Sequence, residues 1–139
     1  MSGPVRPATP PDVDALAGLW DDAARECAPH RGGAALLADL RRGRDDAATL
    51  RDALAAGELW VALEADVVVG FAWVHGGVIA ALYVSRGRRR RGYARALVGA
   101  LLADPHPPTD GYALPGDRAS KSLYESIGWK ARLLTMRAG

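Results

Sequence analysis

The chain has one cysteine, Cys27, one phenylalanine and three histidines among 139 residues. A single thiol excludes an internal disulfide and a cysteine-built metal cluster, and with only three scattered histidines no metal enzyme is expected. Long apolar runs are missing as well. None approaches the roughly 20 residues of a membrane helix, and the opening MSGPVRPATPPD has no apolar signal-peptide core. The expected location is therefore the cytoplasm, with no membrane partner. What is present is 49% apolar content, which suits one globular domain over residues 1–139 with a proper core.

A formal net charge of +2 conceals a strong asymmetry. Residues 1–70 carry 7 Arg against 12 Asp plus Glu, whereas residues 71–139 carry 11 Arg plus Lys against 4 acids. One half favours cations and the other anions. The basic half is dominated by the stretch YVSRGRRRRGYARAL, residues 83–97, with Arg86, Arg88, Arg89, Arg90 and Arg91 in six positions. Such a cluster repels itself unless something neutralises it. It follows an apolar run, residues 78–84, and precedes a small-residue helix expected over residues 94–102, so it sits between a strand end and a helix start. The first turn of a helix presents backbone N–H groups without intrahelical partners, and Gly87 and Gly92 permit close approach or positive φ. The residues describe an anion site.

Around that turn the chain reads in order. Residues 5–8 are a short first strand. Thr9, Pro10 and Asp12 form a capping pattern, followed by a helix whose apolar positions Val13, Leu16, Leu19, Trp20, Ala23 and Cys27 share one face. Cys27 is thus expected inside. Residues 29–33 break that helix, and a second helical region covers residues 34–56, interrupted near residues 41–44 and ended by Gly57. Strands are expected at residues 58–64, 67–75 and 78–84, joined by tight turns at Ala65-Asp66 and Gly76-Gly77. The third strand is almost wholly apolar and reads as central. Prolines in ADPHPPTDG mark a connection. A short strand at 112–114 leads to a helix capped by Asp117 and stopped at Gly128, with Leu123 and Ile127 as its buried stripe. Residues 131–136 close the chain as an edge strand.

Two segments carry a resemblance. The turn RRRGYA, with Arg89, Gly92 and Ala94, resembles the acyl-CoA signature Q/R-x-x-G-x-G/A of the GNAT family of N-acetyltransferases. DRASKSLYESIGW, residues 117–129, is similar to the family's N-x-x-A/S-x-x-L-Y-E-x-x-G-F. The resemblance implies an α+β (mixed α/β) acyl-CoA N-acyltransferase fold, a central and mostly antiparallel sheet flanked by helices. It implies acetyl-CoA as cosubstrate, no metal, and an acetyl transfer to a primary amine by direct attack in a ternary complex. Arg89, Arg90, Arg91, Gly92, Tyr93 and Ala94 would cradle the CoA diphosphate. Leu82, Tyr83 and Val84, on a strand that in the family carries a bulge with a free N–H, join the cofactor set with Asp117 and Ser120. Tyr124 matches the family's general acid. Arg86 and Arg88 lie upstream of the signature, as a solvated rim.

The sequence departs from the family in three places. Residues 78–84 contain no Asp or Glu where several members keep a general base, which leaves Glu58, Glu64, His75 or a water path. Asp117 stands where Asn is commoner, and the link at residues 103–111 is short and proline-rich. The acidic N-terminal helices border the acceptor cleft in similar proteins and point to a cationic amine, either a small molecule or a peptide. Members of the family often dimerise, so a homodimer is compatible with the resemblance. Two other classes fit parts of the pattern: a non-catalytic acyl-CoA sensor, permitted by the acid-free strand, and an arginine-rich nucleic-acid binder, which lacks any accompanying nucleic-acid motif. No nucleic-acid partner is therefore expected.

Overall fold

The computed structural model describes residues 5–136 and 138. Its elements run β1 (Val5–Pro7), α1 (Val13–Cys27), α2 (Gly33–Arg41), α3 (Asp46–Ala55), β2 (Leu59–Glu64), β3 (Val67–His75), β4 (Val78–Val84), α4 (Tyr93–Leu102), β5 (Asp110–Gly111) and α5 (Arg118–Ser126). Local chemistry sets most of these limits. At the entry to α1 the Asp12 carboxylate accepts the Thr9 N–H at 2.8 Å and two Arg6 nitrogens at 2.7 and 3.0 Å, so one buried carboxylate both caps a helix and ties it to β1. Asp45 caps α3 through Ala48 N. The β2–β3 turn holds both Ala65 and Asp66 at positive φ, 50° and 66°. That geometry matches the right-handed twist of a two-residue hairpin even without the favoured Asn-Gly.

The sheet has the order β1-β2-β3-β4-β5, antiparallel except for the parallel β4–β5 pair. Residues along each strand alternate between its two faces. Phe71, Trp73, Ala81 and Tyr83 pack towards α1 with Leu16, Trp20 and Leu50, while Ala72 and Leu82 pack towards α4 with Leu97, Val98 and Leu101. Helices thus cover both faces of a mostly antiparallel sheet. No helix among the described residues is long and apolar enough to cross a membrane.

Three expectations need correction. The fifth strand is Asp110–Gly111 rather than 112–114. Its last bond to β4 is Tyr112 N–H to the Ile79 carbonyl at 3.1 Å, after which Pro115 and the positive φ of Gly116 carry the chain away towards the α5 cap. Residues 131–136 form no strand, and Leu133, Leu134 and Met136 are exposed. A strand needs a ladder to join, and two-residue β5 offers too short an edge. In α5 the buried residue is Tyr124, with Leu123 and Ile127 only half-buried, because Tyr124 stacks on Trp129 at 5.3 Å and 11°.

Candidate active site

The site begins with a fault in the ladder. Trp73 pairs with Ala81 but Val74 pairs with Ile79, which leaves Ala80 without a partner and makes a bulge in β4. It lies immediately after the last residue that β5 pairs with, Ile79. From there the two strands part. Ser85 N–H bonds the Val69 carbonyl at 2.8 Å, and alternate residues of an antiparallel ladder share that orientation. Ala81 and Tyr83 therefore turn their main-chain groups to β3, and Leu82 and Val84 turn theirs into the opening left by β5. The Val84 carbonyl meets Arg89 Nε there at 2.9 Å.

A cavity of about 630 Å³ occupies this opening and extends beneath α1 and α2. Of the residues singled out from the sequence, Leu82, Tyr83, Val84, Arg89, Arg90, Gly92, Tyr93, Ala94, Asp117 and Ser120 line it. Arg91 and Tyr124 are not among its lining residues. Helix α4 starts at the cavity from Gly92, whose φ of 85° suits glycine, and no side chain caps its first turn. Its leading N–H groups are open to an anion. On the opposite wall, the Asp117 carboxylate accepts Ser120 N at 3.1 Å and Ser120 Oγ at 2.8 Å, which anchors the start of α5.

The arginine cluster is largely neutralised from within the chain. Arg89 donates to both Glu26 oxygens at 2.8 and 3.0 Å, and Arg86 Nε stands 3.6 Å from the same carboxylate. Arg91 binds Glu64 at 2.9 Å, and Arg88 Nε lies 3.3 Å from it. Arg90 is the exception. Among the described residues no carboxylate pairs with it, it lines the cavity, and its backbone has a φ of 64°, which costs a non-glycine residue about 1 kcal/mol. The expected solvated rim divides: Arg86 is 78% exposed, whereas Arg88 lines the cavity.

Glu26 escaped the sequence reading. It stands on α1 between Ala23 and Cys27 and faces the cavity with them; its position beside the apolar stripe was the available signal. Tyr83 donates a short hydrogen bond to it. Burial and the neighbouring Glu26 push the Tyr83 phenol up to about 12. For Glu26, desolvation is the largest influence and works upward, but bonds from Tyr83 and Arg89 outweigh it and hold the carboxyl below the usual range. Cys27 also lines the cavity, and burial pushes its thiol up, away from reactivity.

The three candidate bases lie elsewhere. His75 and Glu58 are joined at 2.6 Å, with Arg42 2.8 Å from the other ring nitrogen. Since guanidinium only donates, His75 Nε2 accepts from Arg42 and Nδ1–H donates to Glu58, which occupies both nitrogens. Glu64 is held by Tyr93 at 2.9 Å and by Arg91, contacts that keep its carboxyl low. None of the three lines the cavity. Tyr124 is 6% exposed, and burial, with Asp117 adding to it, pushes its phenol up to about 12.

The family model for the acetyltransferase (GNAT) domain matches residues 55–131. No protein of curated function matches the chain in sequence. Among solved structures, AAC(6')-Iy with the bisubstrate analogue CoA-S-monomethyl-acetylneamine aligns over 97% of both chains at 19% identity, with a TM-score of 0.62. Ribosomal-protein-alanine N-acetyltransferase from Brucella melitensis aligns over 89% of this chain and 82% of its own, at 22% identity and a TM-score of 0.67. Rv2747 from Mycobacterium tuberculosis, solved with CoA, is 27% identical over 70% of this chain and 54% of its own, with a TM-score of 0.53.

Proposed function

The chain belongs to the GNAT acetyltransferase family, and from that premise we propose that it transfers an acetyl group from acetyl-CoA to a primary amine by direct attack in a ternary complex. The observation that carries this reading is the parting of β4 and β5 at the Ala80 bulge, beside an uncapped helix N-terminus. An open ladder edge suits an extended amide-bearing arm, and the α4 N-terminus suits a diphosphate. The residues fit CoA on that ground. Gly92, Tyr93 and Ala94 would offer main-chain N–H groups, and Arg90, with no internal carboxylate, would supply the side-chain charge. Arg89 and Arg91 shape the loop through Glu26 and Glu64.

Acetyl-CoA supplies an activated thioester: the amine nitrogen bonds to the carbonyl carbon, the C–S bond breaks, the sulfur leaves with the electron pair, and the surplus proton on nitrogen passes through solvent to the thiolate, giving the amide and the free thiol. The chain's part is electrostatic. Main-chain N–H groups of β4 that face the opening would stabilise the developing oxyanion by about 3 kcal/mol. Tyr124 would meet the departing sulfur. With its phenol near 12 and a thiol near 8.5, full proton transfer would be uphill by about 5 kcal/mol, so Tyr124 acts by donating a hydrogen bond rather than by giving up its proton. An amine near pKa 10.4 must also lose a proton before attack. Glu26, the carboxylate of α1 in the cavity, is held ionised by Arg89 and Tyr83 and is too weak a base for that, which favours a water path.

The test follows thiol release from acetyl-CoA over an amine panel. Turnover with at least one amine, and a kcat reduced 10- to 100-fold in Tyr124→Phe, are expected. CoA binding without turnover on any amine would overturn the catalytic reading in favour of a sensor.

A further inference from the structure

Two carboxylates line the cavity, Glu26 from α1 and Asp117 from the start of α5. The acids that make the N-terminal half so negative are, Glu26 apart, not among its lining residues. Asp21 and Asp22 bind Arg25, Asp46 receives Trp20 Nε1 at 2.9 Å and Arg41 at 2.8 Å, Asp52 binds Arg44, and Asp12 binds Arg6. Glu26 is itself matched by Arg89. Asp117 is different. Among the described residues its hydrogen-bond partners are Ser120 N and Ser120 Oγ, and no Lys, Arg or His side chain forms an ion pair with it. Those two bonds leave about half of the carboxylate's four lone-pair sites open.

Capping α5 does not call for that charge, because asparagine caps a helix as well as aspartate does. Half-buried Asp117 also acts across the cavity. Burial pushes up the Cys27 thiol on α1, and Asp117 adds to it against Arg41. Burial pushes up the Tyr124 phenol, and Asp117 adds to that too. The carboxylate is therefore within electrostatic range of the α1 wall and of the hydroxyl assigned to the departing sulfur. The arginines of the cavity stand on the facing wall, Arg88, Arg89 and Arg90 before α4 and Arg95 in its first turn, where donor phosphates would meet them. A polyanionic donor gives Asp117 like charge rather than a partner, so the carboxylate gains only from a cation that arrives with the acceptor. We propose that Asp117 determines acceptor specificity, and that the acceptor is a primary amine with a second cationic nitrogen, which pairs with Asp117 while the first nitrogen attacks at the β4 opening. The second cation belongs to a small diamine or polyamine, or to a peptide side chain. This assignment rests on the acyltransferase reading above and narrows it.

The experiment compares kcat/KM, by thiol release, for n-hexylamine, 1,6-diaminohexane, spermidine and a lysine-containing peptide, in wild type, Asp117→Asn and Asp117→Glu, each with a thermal melt to show that it is folded. His30 lies beside the turn before Asp117, where a Cβ on Gly116 would be 3.8 Å from its Nδ1, so the assay is run at pH 8, above the ordinary titration range of imidazole. 1,6-Diaminohexane adds one charge to the hexylamine chain. Two equivalent amines give it about a twofold statistical advantage, and a charge-assisted contact should raise that to about tenfold or more. The ratio of the two amines is the readout, because effects on the donor or on the α5 cap enter both rates alike. Asp117→Asn keeps the cap and loses the charge, and should bring the ratio to about two; Asp117→Glu caps poorly and keeps the charge, and should hold it above about five. A wild-type ratio retained in Asp117→Asn would assign Asp117 to the cap alone and overturn the proposal. So would a wild type in which no acceptor with a second cation exceeds hexylamine by more than twofold, with the acyltransferase reading left standing. Spermidine and the peptide separate the two sources of the second cation, the true one showing the larger gain over hexylamine that Asp117→Asn removes. Absence of thiol release with every amine, in protein that still binds CoA, would instead remove the acyltransferase reading and this assignment with it.

Discussion

Tyr124 leans on Gly111 so closely that a Cβ built on the glycine would lie 2.6 Å from the tyrosine Cζ and 2.9 Å from its hydroxyl oxygen. One missing side chain on β5 therefore sets where the phenol of α5 can be. Gly111→Ala forces the ring or the strand to move. It should cost about 1–3 kcal/mol in stability and lower kcat more than it raises KM for acetyl-CoA. Chemical denaturation and steady-state kinetics check the two halves. A kcat within twofold of wild type would show that the hydroxyl needs no fixed position.

Arg90 combines an unmatched charge with a left-handed backbone. Arg90→Ala should raise KM for acetyl-CoA about tenfold, the worth of one charge-assisted contact, with kcat nearly unchanged. Arg90→Gly loses the same contact but relieves the strain, so it should also unfold at higher urea, by about 0.5–1 kcal/mol. If KM is unmoved in both, the diphosphate is held by the main chain alone.

Asp12 sets an acid limit on stability. Its bond to Arg6, opposed by burial and aided by Thr9, lowers its carboxyl from 3.8 to about 2. A folded-state value below the unfolded one means stability that is complete above pH 3.8 and lost as pH falls through 2. Asp12→Asn should be less stable than wild type by about 2 kcal/mol at pH 7. That gap should shrink to about 0.4 kcal/mol at pH 2 and vanish below it. Urea titrations at the two pH values decide it, and a gap that persists at pH 2 would mean that packing, not ionisation, is responsible.

Leu133, 91% exposed, and Leu134, 70% exposed, lie in the segment that forms no strand. Leu133→Asp and Leu134→Asp should each change stability by less than about 0.5 kcal/mol. Leu97→Ala, at a fully buried position on α4, should cost about 2–5 kcal/mol. A loss above 1 kcal/mol at position 133 would reveal a strand pairing in solution.

Much of this molecule was legible as local pattern. The Thr9–Asp12 cap, the break before α2, the Gly57 stop, the three-strand meander and the helix after Gly92 all rest on signals within a few residues. The two motif segments pointed to the family in the same way. The first of them also placed most of the cavity-lining loop, because backbone chemistry at a helix start is a local property.

What needed the tertiary structure was every relationship between distant segments. Periodicity put Glu26 beside a buried stripe but could not show that it would meet Tyr83, 57 positions away, and Arg89, 63 away. For that reason the arginine cluster looked unneutralised when four of its five members have carboxylate partners. His75 and Glu58 looked available until Arg42 closed the chain of bonds around the imidazole. The final strand failed for the same reason: a strand exists only with a partner ladder, and residues 131–136 meet none. Residue types and short spacings determined the chemistry this chain carries. Packing alone decided which of those groups face the cavity and which neutralise one another, because charge pairing and burial depend on distances in space.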